Sequence, residues 1–261
     1  DVLGSRGLGD VYKRQLGYIP LVVINATIIH IPVILGSLFC GPKKGAFLGF
    51  VFGFTSCLKA TIVGGTLSSF VFSPVLAASL VGTSGIFKSL FIAFVPRILV
   101  GVIPYFVYIG IKKVLASEKK NLWGTVLNVL MSVFLAFGVY AFLGKMSESL
   151  SQAAALGIGI AVGAVVFIVV EAVFIRKSTQ VIPFVYAGVA GAMTNTLLVM
   201  GSIFVLYKDA YADAIGVAGN AVLGVITGVI SFNGVIEAIV AAIIVYLVGL
   251  VLNTIKPIAA K

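Results

Sequence analysis

Seven apolar runs, almost free of charge, constrain this chain more than any motif within it. They can be drawn at residues 21 to 41, 45 to 63, 86 to 111, 122 to 144, 153 to 175, 181 to 207 and 233 to 255. A helical crossing of a bilayer takes about 20 residues. Over such uninterrupted runs only helices satisfy the backbone polar groups, because lipid offers no partners and barrel strands would alternate in polarity. The chain therefore reads as an all-α integral membrane protein. Composition agrees, with 61% hydrophobic and 10% charged residues and a mean hydropathy of +1.21, against about 25% charged residues in an average soluble domain.

A net charge of +10 raises the question of nucleic acid, but the basic residues are not gathered on one amphipathic or disordered segment. They punctuate the spans. With the GPKKG turn placed in the cytoplasm, the inner loops carry Lys43, Lys44, Lys112, Lys113, Lys119, Lys120, Arg176, Lys177, Lys256 and Lys261. The outer ones carry Lys59, Lys88, Lys145 and Lys208. This asymmetry follows the positive-inside rule through every hairpin and predicts a multi-pass protein of the cell membrane with a cytoplasmic C-terminus. Nucleic acid is excluded as a partner; the lipid bilayer is one. Cys40 and Cys57 fall at different depths and read as buried inert thiols.

Gly41, Pro42, Lys43, Lys44 and Gly45 form a tight turn, since Pro42 fixes its own φ and the lysines hold the turn at the headgroups. Residues 21 to 63 are thus expected to be a helical hairpin. Gly45, Gly49 and Gly53 recur on one helix face, which lets another helix approach closely. Gly36 and Gly41 match the first half of a phosphate-binding loop, but Pro42 stands where that loop needs lysine. The chain carries no ATP-binding signature, so any energy from ATP comes from a separate subunit. Residues 1 to 15, DVLGSRGLGDVYKRQ, are polar, glycine-rich and without helical periodicity. They read as a scar-like, non-native segment, outside a single membrane domain from 16 to 261.

The series IIHIPVILGSLFCGPKKGAFLGFVFGFTS from residue 28, SSFVFSP at 68 to 74, FVPRILVGVIPY at 94 to 105, GAMTNTLLVMG at 191 to 201 and NGVIEAIVAAI at 233 to 243 carries a resemblance. It resembles the substrate-binding S components of energy-coupling-factor (ECF) vitamin transporters, and within them is most similar to the pantothenate-type branch. The resemblance implies a six-helix subunit that captures a vitamin outside and docks on a coupling transmembrane subunit carrying two ABC-type ATPases. The cofactor ATP then belongs to those partner subunits, with none in this chain. Two departures are expected: a truncated first helix, and an extra helical hairpin inserted at 119 to 180. Pantothenate leads among substrates, with cobalamin, another vitamin or a vitamin precursor as alternatives.

Depth along the spans, at about 1.5 Å per residue, brings the polar side chains to similar heights. His30 lies near the outer start of its span, Arg97 roughly 15 Å into its own, and Asn195 roughly 18 Å down. Asn233 and Glu237 begin the last span. All could face one cavity in the outer half of the membrane as a substrate-binding set. The competing reading is an Arg97–Glu237 pair that only locks helices, and for His30 a bond to the nearby loop. Asn195 is preferred over Thr194 and Thr196, because the threonines can satisfy themselves on the preceding turn. Residues 60 to 85, with Phe70 and Phe72, correspond to the loop that covers the vitamin in the family; the alternative is an interfacial helix. Glu171 reads as structural, snorkelling or pairing with nearby basic residues. The segment 209 to 232 is either a re-entrant half-helix or an extension of the last span. A self-sufficient secondary transporter is the rival class, expecting inverted repeats and midplane carboxylates. An enzyme is not expected, since one histidine, two separated cysteines and one deep Glu provide no catalytic constellation or metal set.

Overall fold

The computed structural model describes residues 18 to 21, 24 to 64, 68 to 146, 150 to 177, 181 to 255, 257 and 258. The scar-like segment 1 to 15 lies outside them. Among the described residues, six helical runs are long and apolar enough to cross a membrane: Pro42–Ile62, Thr83–Leu115, Lys120–Gly144, Gln152–Ala172, Ile182–Ile215 and Val222–Ile255.

The expected first span, 21 to 41, is not one helix. Tyr18–Leu21 and Ile24–Thr27 pair as a short antiparallel hairpin, β1 and β2. Helix α1 starts only at His30 and runs His30–Cys40, 11 residues and too short to span a bilayer. Pro32 supplies the reason. Its missing N–H and its ring are tolerated in the first turn and would break a helix arriving from upstream. Gly41, at φ 85°, turns the chain in a conformation that favours glycine, and Pro42 opens α2, Pro42–Ile62. The turn is therefore tighter than GPKKG suggests, and Lys43 and Lys44 project from the first turn of α2.

Beyond α2 a 3-10 turn, Ser69–Val71, leads into α3, Pro74–Val81. The span drawn at 86 to 111 is two helices, α4 Thr83–Val100 and α5 Ile103–Leu115, broken where Pro104 withholds an N–H. Helices α6, Lys120–Met146, and α7, Gln152–Lys177, form the expected hairpin. Helix α8, Val181–Ile215, overruns its apolar run and bends at Tyr207 (φ −134°, ψ 18°). Segment 209 to 232 extends helices on both sides: α9, Val222–Val229, continues through a π-helical turn, Ile230–Gly234, into α10, Val235–Ile255.

Two antiparallel helix pairs make backbone-close contacts. In the first, Gly45, Gly49 and Gly53 of α2 lie against the carbonyls of Gly101, Arg97 and Ala93, so that a Cβ at any of these three positions would strike that backbone. In the second, Gly188 of α8 lies against Ala241 and Ala242, Gly249 of α10 against Phe184, and Gly234 against Thr196. Small residues serve the same purpose wherever helices associate without a hydrophobic drive from water.

A direct check is available in the first pair. Gly49→Ala should destabilise the protein by about 1–3 kcal/mol, the usual cost of overpacking. Gly110→Ala, where a Cβ meets nothing within 4 Å, should instead leave stability unchanged or raise it by about 0.5–1 kcal/mol through helix propensity. Thermal unfolding of both variants in one detergent compares them.

Candidate functional site

Two apolar clusters divide the bundle. One joins Ile31, Ile34 and Leu38 of α1, Phe52 of α2, Val100 of α4, Phe184 and Ala192 of α8, and Ala238 to Val245 of α10. The other joins Phe70, Val71 and Ala77 with Ile92 of α4, Val199, Ile203 and Tyr207 of α8, and Val222 and Ile226 of α9. On α4 the switch from one cluster to the other falls between Ile92 and Val100, on α8 between Ala192 and Val199, and on the last run between Ile226 and Ala238. Arg97, Asn195, Asn233 and Glu237 all fall in these intervals. His30 directly precedes Ile31 at the margin of the first cluster. On each of these helical runs the polar side chains thus mark the changeover between the clusters, a polar layer.

Arg97 is 6% exposed, and a charge at mid-membrane costs about 2.5–3.5 kcal/mol on insertion scales. Its surroundings offset that cost. Pro96 has no N–H to donate to the carbonyl of Ile92 four residues back, which frees that oxygen inside α4. Arg97 Nη1 donates to it at 2.8 Å. The side chain points back along its helix toward the N-terminus, as long helical side chains do, so the guanidinium stands nearer Ile92 than its own Cα. Its Cζ lies 4.7 Å from the ring centroid of Phe72 and 5.5 Å from that of Phe52. Each such cation–π contact contributes about 0.5–2 kcal/mol when desolvated.

Across the layer, Glu237 is 9% exposed and accepts a hydrogen bond from Thr196 Oγ1 at 3.3 Å. This corrects the expectation that Thr196 would satisfy itself on its own helix. Asn195, its neighbour, is half-buried, and its Oδ1 is buried with no hydrogen-bond partner among the described residues. Asn233 sits half-buried within the π turn. A π turn widens the helix and recurs at functional sites. His30 is 1% exposed at the start of α1.

The connection between α2 and α4 is tied down at several points. Ser73 caps α3 by accepting from Leu76 N at 3.3 Å, and its Oγ lies 2.8 Å from Thr61 Oγ1. Phe70 is buried edge-on against Tyr207 at 5.3 Å, and Tyr207 O–H donates to the Gly85 carbonyl at 2.7 Å. Of the two expected lid residues, Phe72 reaches the polar layer through Arg97, whereas Phe70 packs in the second apolar cluster. Glu171 stands elsewhere, in the α6–α7 hairpin, accepting from Thr125 Oγ1 at 2.6 Å and Asn128 Nδ2 at 2.8 Å. These two side chains hold it in a structural role, through neutral donors that the sequence did not single out; the side chains of Arg176 and Lys177 lie outside the described residues. Sequence reasoning missed Thr196 and Phe52. Phe52 lies next to Gly53 on the close-packed face of α2, which is the signal that could have found it.

The chain is similar to two curated transporters. It is 48% identical over 119 residues to the pantothenic acid transporter PanT of Lactococcus lactis subsp. cremoris, a match covering 44% of this chain and 59% of that relative. It is 25% identical over 250 residues to the pantothenate transporter PanT of Leuconostoc mesenteroides subsp. mesenteroides, covering 94% of this chain and 84% of that relative. The first match therefore spans less than two thirds of the relative's length. No family model and no solved structure matches the chain.

The Thr196–Glu237 bond gives a test of the layer's energetics. Thr196→Val keeps the shape and deletes the donor, leaving a buried carboxylate short of one partner; this should remove about 1–3 kcal/mol and lower Tm by several degrees, roughly 2–4 °C per kcal/mol. Thr196→Ser, which restores the hydroxyl, should recover most of the loss.

Proposed function

We propose that this chain is the substrate-binding membrane subunit of an ATP-driven vitamin importer, with pantothenate as its substrate. The observation that carries the reading is the polar layer of Arg97, Asn195, Asn233 and Glu237, enclosed between apolar clusters in a chain similar to two pantothenate transporters. Pantothenate offers a carboxylate, a secondary amide, two hydroxyls and an apolar gem-dimethyl group. In this reading Arg97 takes the carboxylate through charge-assisted hydrogen bonds. The amide of Asn195 or Asn233 both donates and accepts, as a hydroxyl or peptide-like group requires. Glu237 accepts from a hydroxyl, and Phe72 closes over the apolar part, in keeping with the few polar anchors and mostly apolar lining of small-molecule sites.

Transport follows from binding through partners. The chain has no phosphate loop, so ATP hydrolysis is assigned to paired ATPases joined to it through a coupling membrane subunit. The lysine-rich end is assigned to the cytoplasm by the positive-inside rule, and the layer then opens toward the outside. Cys40 is exposed next to Gly41 and Cys57 is half-buried, which corrects the expectation of two buried thiols, and Cys40 reports that orientation. In a Cys57→Ala background, a membrane-impermeant maleimide should label Cys40 in inside-out vesicles and spare it in intact cells; the opposite pattern inverts the topology.

Two further measurements test the function. A titration series of water-soluble vitamins on protein in lipid nanodiscs should select pantothenate. Arg97→Ala should weaken its binding by about 10- to 100-fold, the range for a charge-assisted bond, while Glu118→Ala, exposed and outside the layer, should bind within about twofold of wild type. In cells, labelled pantothenate should accumulate only when the coupling subunit is present. Gradient-driven accumulation without it would make the chain a self-sufficient carrier and overturn the proposal.

A further inference from the structure

Helix α6 is fastened to the rest of the bundle at two levels. At the lysine-rich end, Leu127 packs with Leu115 and Ile182, and Tyr186 O–H donates to the Leu127 carbonyl. Three to four turns further along, α6 meets the π turn. Phe142 stacks on Phe232 with ring centroids 5.3 Å apart and planes inclined by 5°. Gly138, one turn before it, is buried against Val235, and a Cβ there would overlap the Val235 side chain. Behind α6, α7 is locked by the Glu171 bonds to Thr125 and Asn128 and by Gly159 lying against the Ala136 carbonyl. The hairpin is thus a braced arm whose far part packs on the five-residue π turn at Phe232 and on Val235 just after it.

Those five residues carry a geometrical switch. A π turn holds one residue more than an α turn, and one residue corresponds to a rotation of about 100° around the helix. The face on which Asn233 stands relative to Glu237 therefore depends on the π turn being kept at Ile230–Gly234. Its hydrogen bonding is less favourable than an α turn's, so the surroundings have to hold it. They do so from two sides. Gly234 lies against the Thr196 methyl on α8, and Phe232 and Val235 lie against α6.

We propose that α6 is a positioning element for the binding layer: Phe142 and Gly138 hold the π turn of the last helical run and thereby fix Asn233 and Glu237 toward the ligand. The inference rests on the reading of the layer as a pantothenate site and gives the α6–α7 hairpin a part in recognition without its touching the ligand. Residues 119 to 180 lie within the stretch aligned with the Leuconostoc relative, since an alignment spanning 94% of the chain takes them in.

Calorimetric titration with pantothenate in lipid nanodiscs tests it. Phe142→Ala should raise Kd by roughly tenfold, the effect of losing an aromatic stack together with its packing, with the stoichiometry unchanged at one ligand per chain. Phe142→Tyr keeps the ring and should bind like wild type. Phe137→Ala, on the same helix with its side chain 51% exposed, should do so too. Pantothenol, which lacks the carboxylate, should lose affinity in the same proportion in Phe142→Ala, because the contact to Arg97 is untouched. Should Phe142→Ala not fold, Phe142→Leu removes the stack while keeping apolar volume and is expected to raise Kd in the same direction. A wild-type Kd in folded Phe142→Ala or Phe142→Leu overturns the inference alone. So does a loss that appears as reduced stoichiometry or is shared by Phe137→Ala. If wild-type protein does not bind pantothenate, the functional reading itself fails and the inference goes with it.

Discussion

A guanidinium between membrane helices must be solvated by protein, because hydrocarbon supplies neither dipoles nor ions. Arg97 meets that demand through its own sequence neighbour. The proline before it releases the Ile92 carbonyl, and the arginine occupies it, so two residues that would each weaken a membrane helix satisfy one another. The aromatic faces of Phe52 and Phe72 complete the surroundings. The close approach of α2 along its glycines brings Phe52 near, and the tethered connection before α4 brings Phe72. The polar layer therefore depends on apolar packing as much as on polar groups.

The same logic applies to the chain's other polar cluster. Glu171 has two donors from the helix it packs against, and the result is a clasp between α6 and α7. In the central layer the buried Asn195 Oδ1 has no partner among the described residues, and in the clasp the same holds for Asn128 Oδ1. An amide oxygen left so within the membrane is a group suited to a ligand, since an unmade bond is more costly there than in water.

Much of this was legible in the sequence because the bilayer simplifies the grammar. Long apolar runs fix where helices are, and the spacing of Gly45, Gly49 and Gly53 fixes which face another backbone approaches. Depth counting put Arg97, Asn195, Asn233 and Glu237 at similar heights, and each lies where its own helical run passes from one apolar cluster to the other. The failures have physical causes. Hydropathy does not register Pro32, which delays α1 until His30, or Pro104, which splits the third run in two. Nor does it reveal that Thr196 turns across the interface to Glu237, because three consecutive polar residues point in three directions and only the packing of α8 on α10 selects among them. The π turn has no signature in composition at all.

The two glycine-lined helix pairs have a mechanical consequence. Within α2–α4, along Gly45, Gly49 and Gly53, and within α8–α10 at Gly188, backbone lies on backbone, with little side-chain volume there that could rearrange to absorb a shear. Each pair is therefore stiff, and compliance is left to the seam between them, filled by rotatable side chains. Arg97 stands on one bank of that seam and Glu237 on the other. Whatever parts the banks alters the spacing of these two ionisable groups first, which makes mechanical deformation of the bundle and the grip on a guest molecule a single coordinate.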